Sequence, residues 1–332
     1  MRCTLFVLLF VFGVSGLAVA TPIAPAAEAK RSEQAEFEGR MIGVAETLLA
    51  SPAPAERAAG LLLAEQAKLW QTTAQPVLGE AEFDNELHGL IEEADCALTR
   101  ALLAQLCGMT DRVDDCRRRG LDEAIVALDG AELLARLHLT ELGDLERARD
   151  VMVAAERVAP RQAAYAMTVL DGTDTRSEAL SARAQMAAIF ALASSTFPPL
   201  SPIENLCQRK ADHDPALDQA CERLLSAMMD QADNLLLTSL ASALAAQRAE
   251  AAGNALAMAR HAGWRAELSE FVRCTGAVEM EPLAAEQPGF IREFLQHWQH
   301  HGEAGAHAFM AARADIDCAS PQPPPVPDLA IR

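Results

Sequence analysis

The chain of 332 residues is 51% hydrophobic, 23% charged and 5% aromatic, with 18 glycines and 17 prolines, which excludes a disordered tail, a collagen or a low-complexity linker. Alanine and leucine dominate and β-branched residues are thin, so the composition predicts an all-α fold with a sizeable core. A formal net charge of −19 excludes nucleic acid and anionic membrane surfaces as partners, since either would be repelled.

In chain order, residues 1–20 read as a secretory signal peptide. Met1 and Arg2 give a positive start, Cys3 to Ala20 an apolar run, and Ala18-Val19-Ala20 a small-x-small cleavage signal. An uncleaved anchor is the competing reading, because the run nearly matches the thickness of a bilayer. Cleavage would leave 312 residues, no further membrane span and a formal charge of −20, Arg2 being the only charged residue removed. The protein is then expected in the periplasm or secreted, with a flexible lead over residues 21–31.

From Ser32 onward, apolar residues recur at helical spacing. Phe37, Met41, Val44, Leu48 and Leu49 mark a first helix, ended by Ser51-Pro52-Ala53-Pro54, and Leu61, Leu62, Leu69 and Trp70 mark a second. A less regular stretch through Pro76 and Gly79 leads to a helix predicted over Leu90 to Cys107. The next starts near Asp114 and breaks at Asp129-Gly130. A hairpin follows in Leu133 to Leu142 and Leu145 to Val158, turning at Gly143-Asp144. Thr175 with Glu178 and Ser201-Pro202 with Glu204 resemble capped helix starts. Asp214-Pro215 opens the helix carrying Cys221, a pair runs Asn234 to Ala246 and Ala249 to His261, and the last helices fall near 266–273, 288–301 and 303–314. These signals divide the chain into a first helical unit (32–165), a second (166–265), C-terminal helices (266–318) and a proline-rich tail (319–332) expected to be disordered.

Seven cysteines would survive cleavage, in a compartment that permits disulfides. Cys107 with Cys116 and Cys207 with Cys221 each bracket a helical corner, and Cys274 with Cys318 would tie the last helices together, leaving Cys96 over. Buried free thiols are the alternative. Zinc wants C-x-x-C knuckles, and none occurs.

Corresponding features of the two units lie about 100 residues apart, as an internal duplication would place them. In the first unit Gly143, Ala148, Met152, Ala155 and Pro160 keep the spacing of the second helix of a tetratricopeptide repeat. In the second, Ala252, Leu256 and Ala259 keep the same offsets. The chain thus resembles the tetratricopeptide family over two units, about a fifth of its length. It departs where Gln247 replaces the turn glycine, Trp264 stands for proline, and Glu132, Arg136 and Leu236 lack the first-helix signals. The resemblance implies an array of helical hairpins, an α-solenoid whose concave face holds partners; composition alone admits an irregular helical bundle.

Chemistry-bearing motifs are sparse. Glu293, His297 and His301 fall four apart on one helix face, near His300 and His307, a spacing that permits metal ligation without the H-E-x-x-H order; the segment is expected to hold no functional metal. No phosphate-cradling glycine run occurs, and the one glycine-flanked serine, Ser15, lies in the signal, so no cofactor or catalytic residue is assigned. Glu92-Glu93 and Asp114-Asp115 read as solvated faces. Arg117-Arg118-Arg119 would hold an acidic peptide terminus or, more in keeping with its neighbours, pair with Asp114, Asp115 and Asp122. The expected function is therefore a protein- or peptide-binding scaffold of the cell envelope, without catalytic activity. The rival readings are a metal-dependent enzyme using the histidine segment and a purely structural envelope protein.

Overall fold

The computed structural model describes residues 36–37, 39–70, 76–129, 132–141, 143–155, 162–174, 182–195, 200–208, 214–230, 234–287 and 289–321. The signal, the lead, the capped start at Thr175 and most of the proline-rich tail lie outside them. Among the described residues all regular structure is helical, as the composition predicts, and those from Phe37 onward belong to one compact unit.

Three cores organise the helices. The largest joins α1 (39–49), α2 (Pro54–Trp70), α3 (Glu80–Glu93) and α4 (Ala97–Met109) to α9 (Gln162–Asp174), α10 (Ala182–Ser195), α15 (Met280–Glu286) and α16 (Phe290–Arg313). Leu48, Leu62, Leu87, Leu102 and Leu106 meet there without solvent exposure. The second core takes α7 (Leu133–His138), α8 (Leu145–Ala154), α11 (Leu200–Gln208), α12 (Pro215–Asp230) and α13 (Leu235–Ala251). The third sets Trp264, Leu268 and Phe271 of α14 (Ala255–Thr275) on Ala304 and Ala311 of α16. The second core is built mainly from successive hairpins. The first is closed by helices distant in sequence, with α2 against α9 and α10, and α16 against α9, in the manner of a bundle.

Several boundaries differ from the sequence reading for identifiable reasons. The irregular stretch before Leu90 is α3, whose stripe of Phe83, Leu87, Leu90 and Ile91 faces the core; the Glu82 carboxylate accepts from the Gly79 N–H at 3.1 Å to close its first turn. The chain then breaks at Cys96 (φ −124°, ψ 153°) before α4. The helix expected from Asp114 is two, α5 (Val113–Arg118) and α6 (Leu121–Asp129), parted at Gly120. The second hairpin turns at Gly253 (φ 70°), followed by an Asn254 cap on the Ala257 N–H at 3.0 Å, and not at Gln247. In consequence Ala252, Leu256 and Ala259 face solvent, and α14 packs through Ala257, His261, Trp264, Leu268 and Phe271. In the first hairpin Ala148 and Met152 are buried.

The expected helices at 288–301 and 303–314 are the two arms of α16. Gly302 (φ 71°, ψ 177°) adopts a backbone conformation open essentially to glycine alone, and the arms fold on each other there. Phe290 meets Phe309 at 6.0 Å and Phe294 meets His307 at 5.9 Å.

Candidate functional site

An open cleft of about 480 Å³ is lined by Arg117, Asp122, Arg136, Asp144, Glu146, Arg147, Asp150, Val151 and Ala154. Short helices with side-chain caps fix its walls. The Glu132 carboxylate caps α7, accepting from the N–H groups of Leu134 (3.0 Å) and Ala135 (2.7 Å), and Asp144 caps α8 through the Arg147 N–H at 3.0 Å. These caps aim Arg136 and Arg147 from adjacent helices at one carboxylate, Asp122 of α6, which accepts from Arg136 Nε at 3.0 Å and from Arg147 Nη2 at 2.8 Å.

The floor is paired and largely buried, and the rim is open to solvent. Asp122 and Arg136 keep 13% of their side-chain exposure, whereas Asp144, Glu146 and Asp150 stand exposed around them. With three arginines and four acids the lining is close to neutral and carries fixed charges of both signs. Such a surface offers hydrogen-bond partners to a polar chain lying across it. It is too open to sequester a reaction from water.

Of the arginine run only Arg117 reaches the cleft. Arg117 pairs with Asp114 at 3.4 Å, and Arg118 and Arg119 with Asp115 at 3.3 and 3.4 Å, as expected of neighbours on one short helix. Asp122 does not join them, because α6 turns away at Gly120 and presents it to α7 and α8. Asp115 also accepts from His88 Nε2 at 2.7 Å, and this bond, before the arginine contacts, holds its carboxyl below the usual range. Glu93 pairs with Arg57 of α2, so Glu93, Asp114 and Asp115 all serve surface ion pairs.

The histidine segment forms a different constellation from a metal centre. Glu293 is engaged by Arg313 from the second arm of α16, while the His297 ring stacks on Phe309 at 4.2 Å and lies 5.5 Å from His301. Desolvation in this stack, then the neighbouring His301, lowers the His297 pKa. Among the described residues no three histidine, cysteine or acidic side chains are placed to hold a metal ion.

Family models, curated proteins and solved structures give no match to this chain. Its functional reading rests on its own geometry. Disulfides join Cys107 to Cys116, Cys207 to Cys221 and Cys274 to Cys318, with Cα separations of 6.3, 5.6 and 6.0 Å, and Cys96 is free and exposed. Three bridges fit an oxidising environment. Among the described residues no helix is long and apolar enough to cross a membrane.

Two buried polar pairs had no sequence signal. Arg100 of α4 donates to both Asp129 oxygens, Nε at 2.8 Å and Nη2 at 2.9 Å, with the two side chains 3% and 5% exposed. Ser242 and His261 lie 3.1 Å apart between α13 and α14, both closed to solvent, so the serine is a structural tie with no path to a substrate. Within the cleft, the sequence marks Arg117 and Asp122 as ion-pair partners, Asp144 as a turn residue and Arg136 as a departure from the repeat; Glu146, Arg147 and Asp150 carry no signal, since each is an ordinary charged residue until α7 and α8 fold together.

Proposed function

We propose that the protein is an exported helical scaffold of the cell envelope, periplasmic or secreted, that holds a segment of another protein in the cleft between α5 and α8. The observation that carries this reading is the charged, pre-ordered cleft itself, built on the hairpin whose Ala148 and Met152 keep the tetratricopeptide-like register. The open shape favours an extended segment over a small enclosed ligand. The rim acids Asp144, Glu146 and Asp150, on a chain of net charge −19, favour a neutral or basic segment and make its approach electrostatically assisted.

The test uses the full chain with its disulfides intact, titrated against a library of extended peptides graded from acidic to basic. Basic members should bind, association should slow as salt rises, and Glu146→Lys with Asp150→Lys should weaken binding by about tenfold or more. Absence of binding at about 1 mM peptide across the library, or preference for its acidic members, would remove the reading.

A further inference from the structure

The three disulfides sit in unlike surroundings. Cys107 and Cys116 are both 0% exposed and Cys207 and Cys221 are 1% and 0% exposed; each pair lies inside a core and joins cysteines 9 or 14 residues apart. Cys274 is partly exposed at the last turn of α14, and its partner Cys318, 44 residues on, keeps 9% of its surface. This bridge ties the end of α14 to the non-helical segment 316–321 that follows α16. It borders the smallest core, in which Trp264, Leu268 and Phe271 meet Ala304, Ala311 and Cys318 itself.

Thiol–disulfide exchange needs a thiolate to reach a sulfur along the S–S axis, so the two inner bridges can react only after a core has opened. Cys274 is the one bridged cysteine that is not buried, so its sulfur offers the most direct approach. We propose that Cys274–Cys318 is a thiol–disulfide exchange site that acts as a reducible latch on α14, taking a dithiol reductant as its reaction partner. One thiolate of the dithiol attacks the Cys274 sulfur, forming a mixed disulfide and releasing Cys318 as a thiolate, which takes up a proton. The second thiol of the dithiol then displaces Cys274. The protein gains two electrons and two protons, and the dithiol leaves as its own disulfide.

The consequence is local. Segment 316–321 loses its covalent hold on α14, and the seam of Trp264, Leu268 and Phe271 opens along that edge. The arms of α16 stay docked through Phe294, Leu295, Trp298 and Met310 in the largest core, where Cys107 and Cys116 also lie.

Folded full-length protein exposed to graded dithiothreitol, with thiols trapped by alkylation and mapped by mass spectrometry, tests this. Cys96 should label at once, and Cys274 and Cys318 at least about tenfold faster than the other four. Amide exchange should then rise at 268–275 and 316–321 and stay unchanged in α2 to α4. Simultaneous labelling of all six, or earlier labelling of an inner pair, would overturn the proposal. The Cys274→Ser/Cys318→Ser protein should fold and show the same local exchange without reductant. Failure of that variant to fold would count against the latch, since it would make the bridge a requirement of the whole fold, and unchanged exchange in both experiments would show that the bridge holds nothing.

Discussion

Arg100 shows how much a single buried pair can carry in this fold. Its guanidinium is held by Asp129 away from water and by the half-buried Ala94 carbonyl at 2.8 Å, and the hydrogen bond to Asp129 is the first cause of its raised pKa. Removing the acid strands a charge in the interior, so Asp129→Ala should cost about 3–5 kcal/mol in urea unfolding, whereas loss of an exposed pair such as Arg118 with Asp115 should cost under about 1 kcal/mol. Equal costs for the two would contradict the burial argument. His138 supplies a second test at this scale. Burial pushes its pKa from 6.5 down to about 4, so the folded state resists a proton that the unfolded chain accepts. Stability is therefore full above pH 6.5 and falls as pH drops toward 4, by about 2 to 3 kcal/mol from this group. Urea midpoints measured between those pH values should show the decline, and His138→Gln should flatten it.

At the scale of elements, Gly302 determines whether α16 is one rod or a folded pair of arms. A side chain at φ 71°, ψ 177° is strained, so Gly302→Ala should destabilise the protein by about 1–3 kcal/mol; a thermal midpoint left unchanged would mean that the turn does not constrain the arms. The sequence reading placed these arms well, because a polar, histidine-rich face against Phe290, Phe294 and Trp298 is strongly periodic. The reading of Leu90 to Cys107 as one helix missed the break at Ala94 to Cys96, where no proline or glycine marks it. Across that break Arg100 reaches back six residues to the Ala94 carbonyl while its other nitrogens bind Asp129, 29 residues on, a long-range pairing to which local periodicity is blind. The turn at Gly253 had the opposite difficulty: its glycine is plain in the sequence, but the repeat offsets drew the boundary to Gln247.

For the molecule as a whole, the all-α class and the pairs Cys107–Cys116 and Cys207–Cys221 were legible because composition and bracketed helical corners depend little on distant contacts; Cys274–Cys318, 44 residues apart, followed only as the remaining pair on the last helices. The cleft was not. Asp122, Arg136 and Arg147 lie on three helices, and only the caps at Glu132 and Asp144 bring the arginines onto one carboxylate. In the reading we propose, whole-molecule charge would act with the cleft by drawing a basic segment toward the exposed rim acids. The central claim is that this cleft holds another protein. The most direct test places a photoreactive amino acid at Glu146 in the full chain within its native host, with exposed Glu270 on α14 as the control position. The account predicts an adduct from position 146 with a second protein, at a neutral or basic segment, that is absent from position 270. Adducts only between copies of this chain, or the same adduct from both positions, would contradict it.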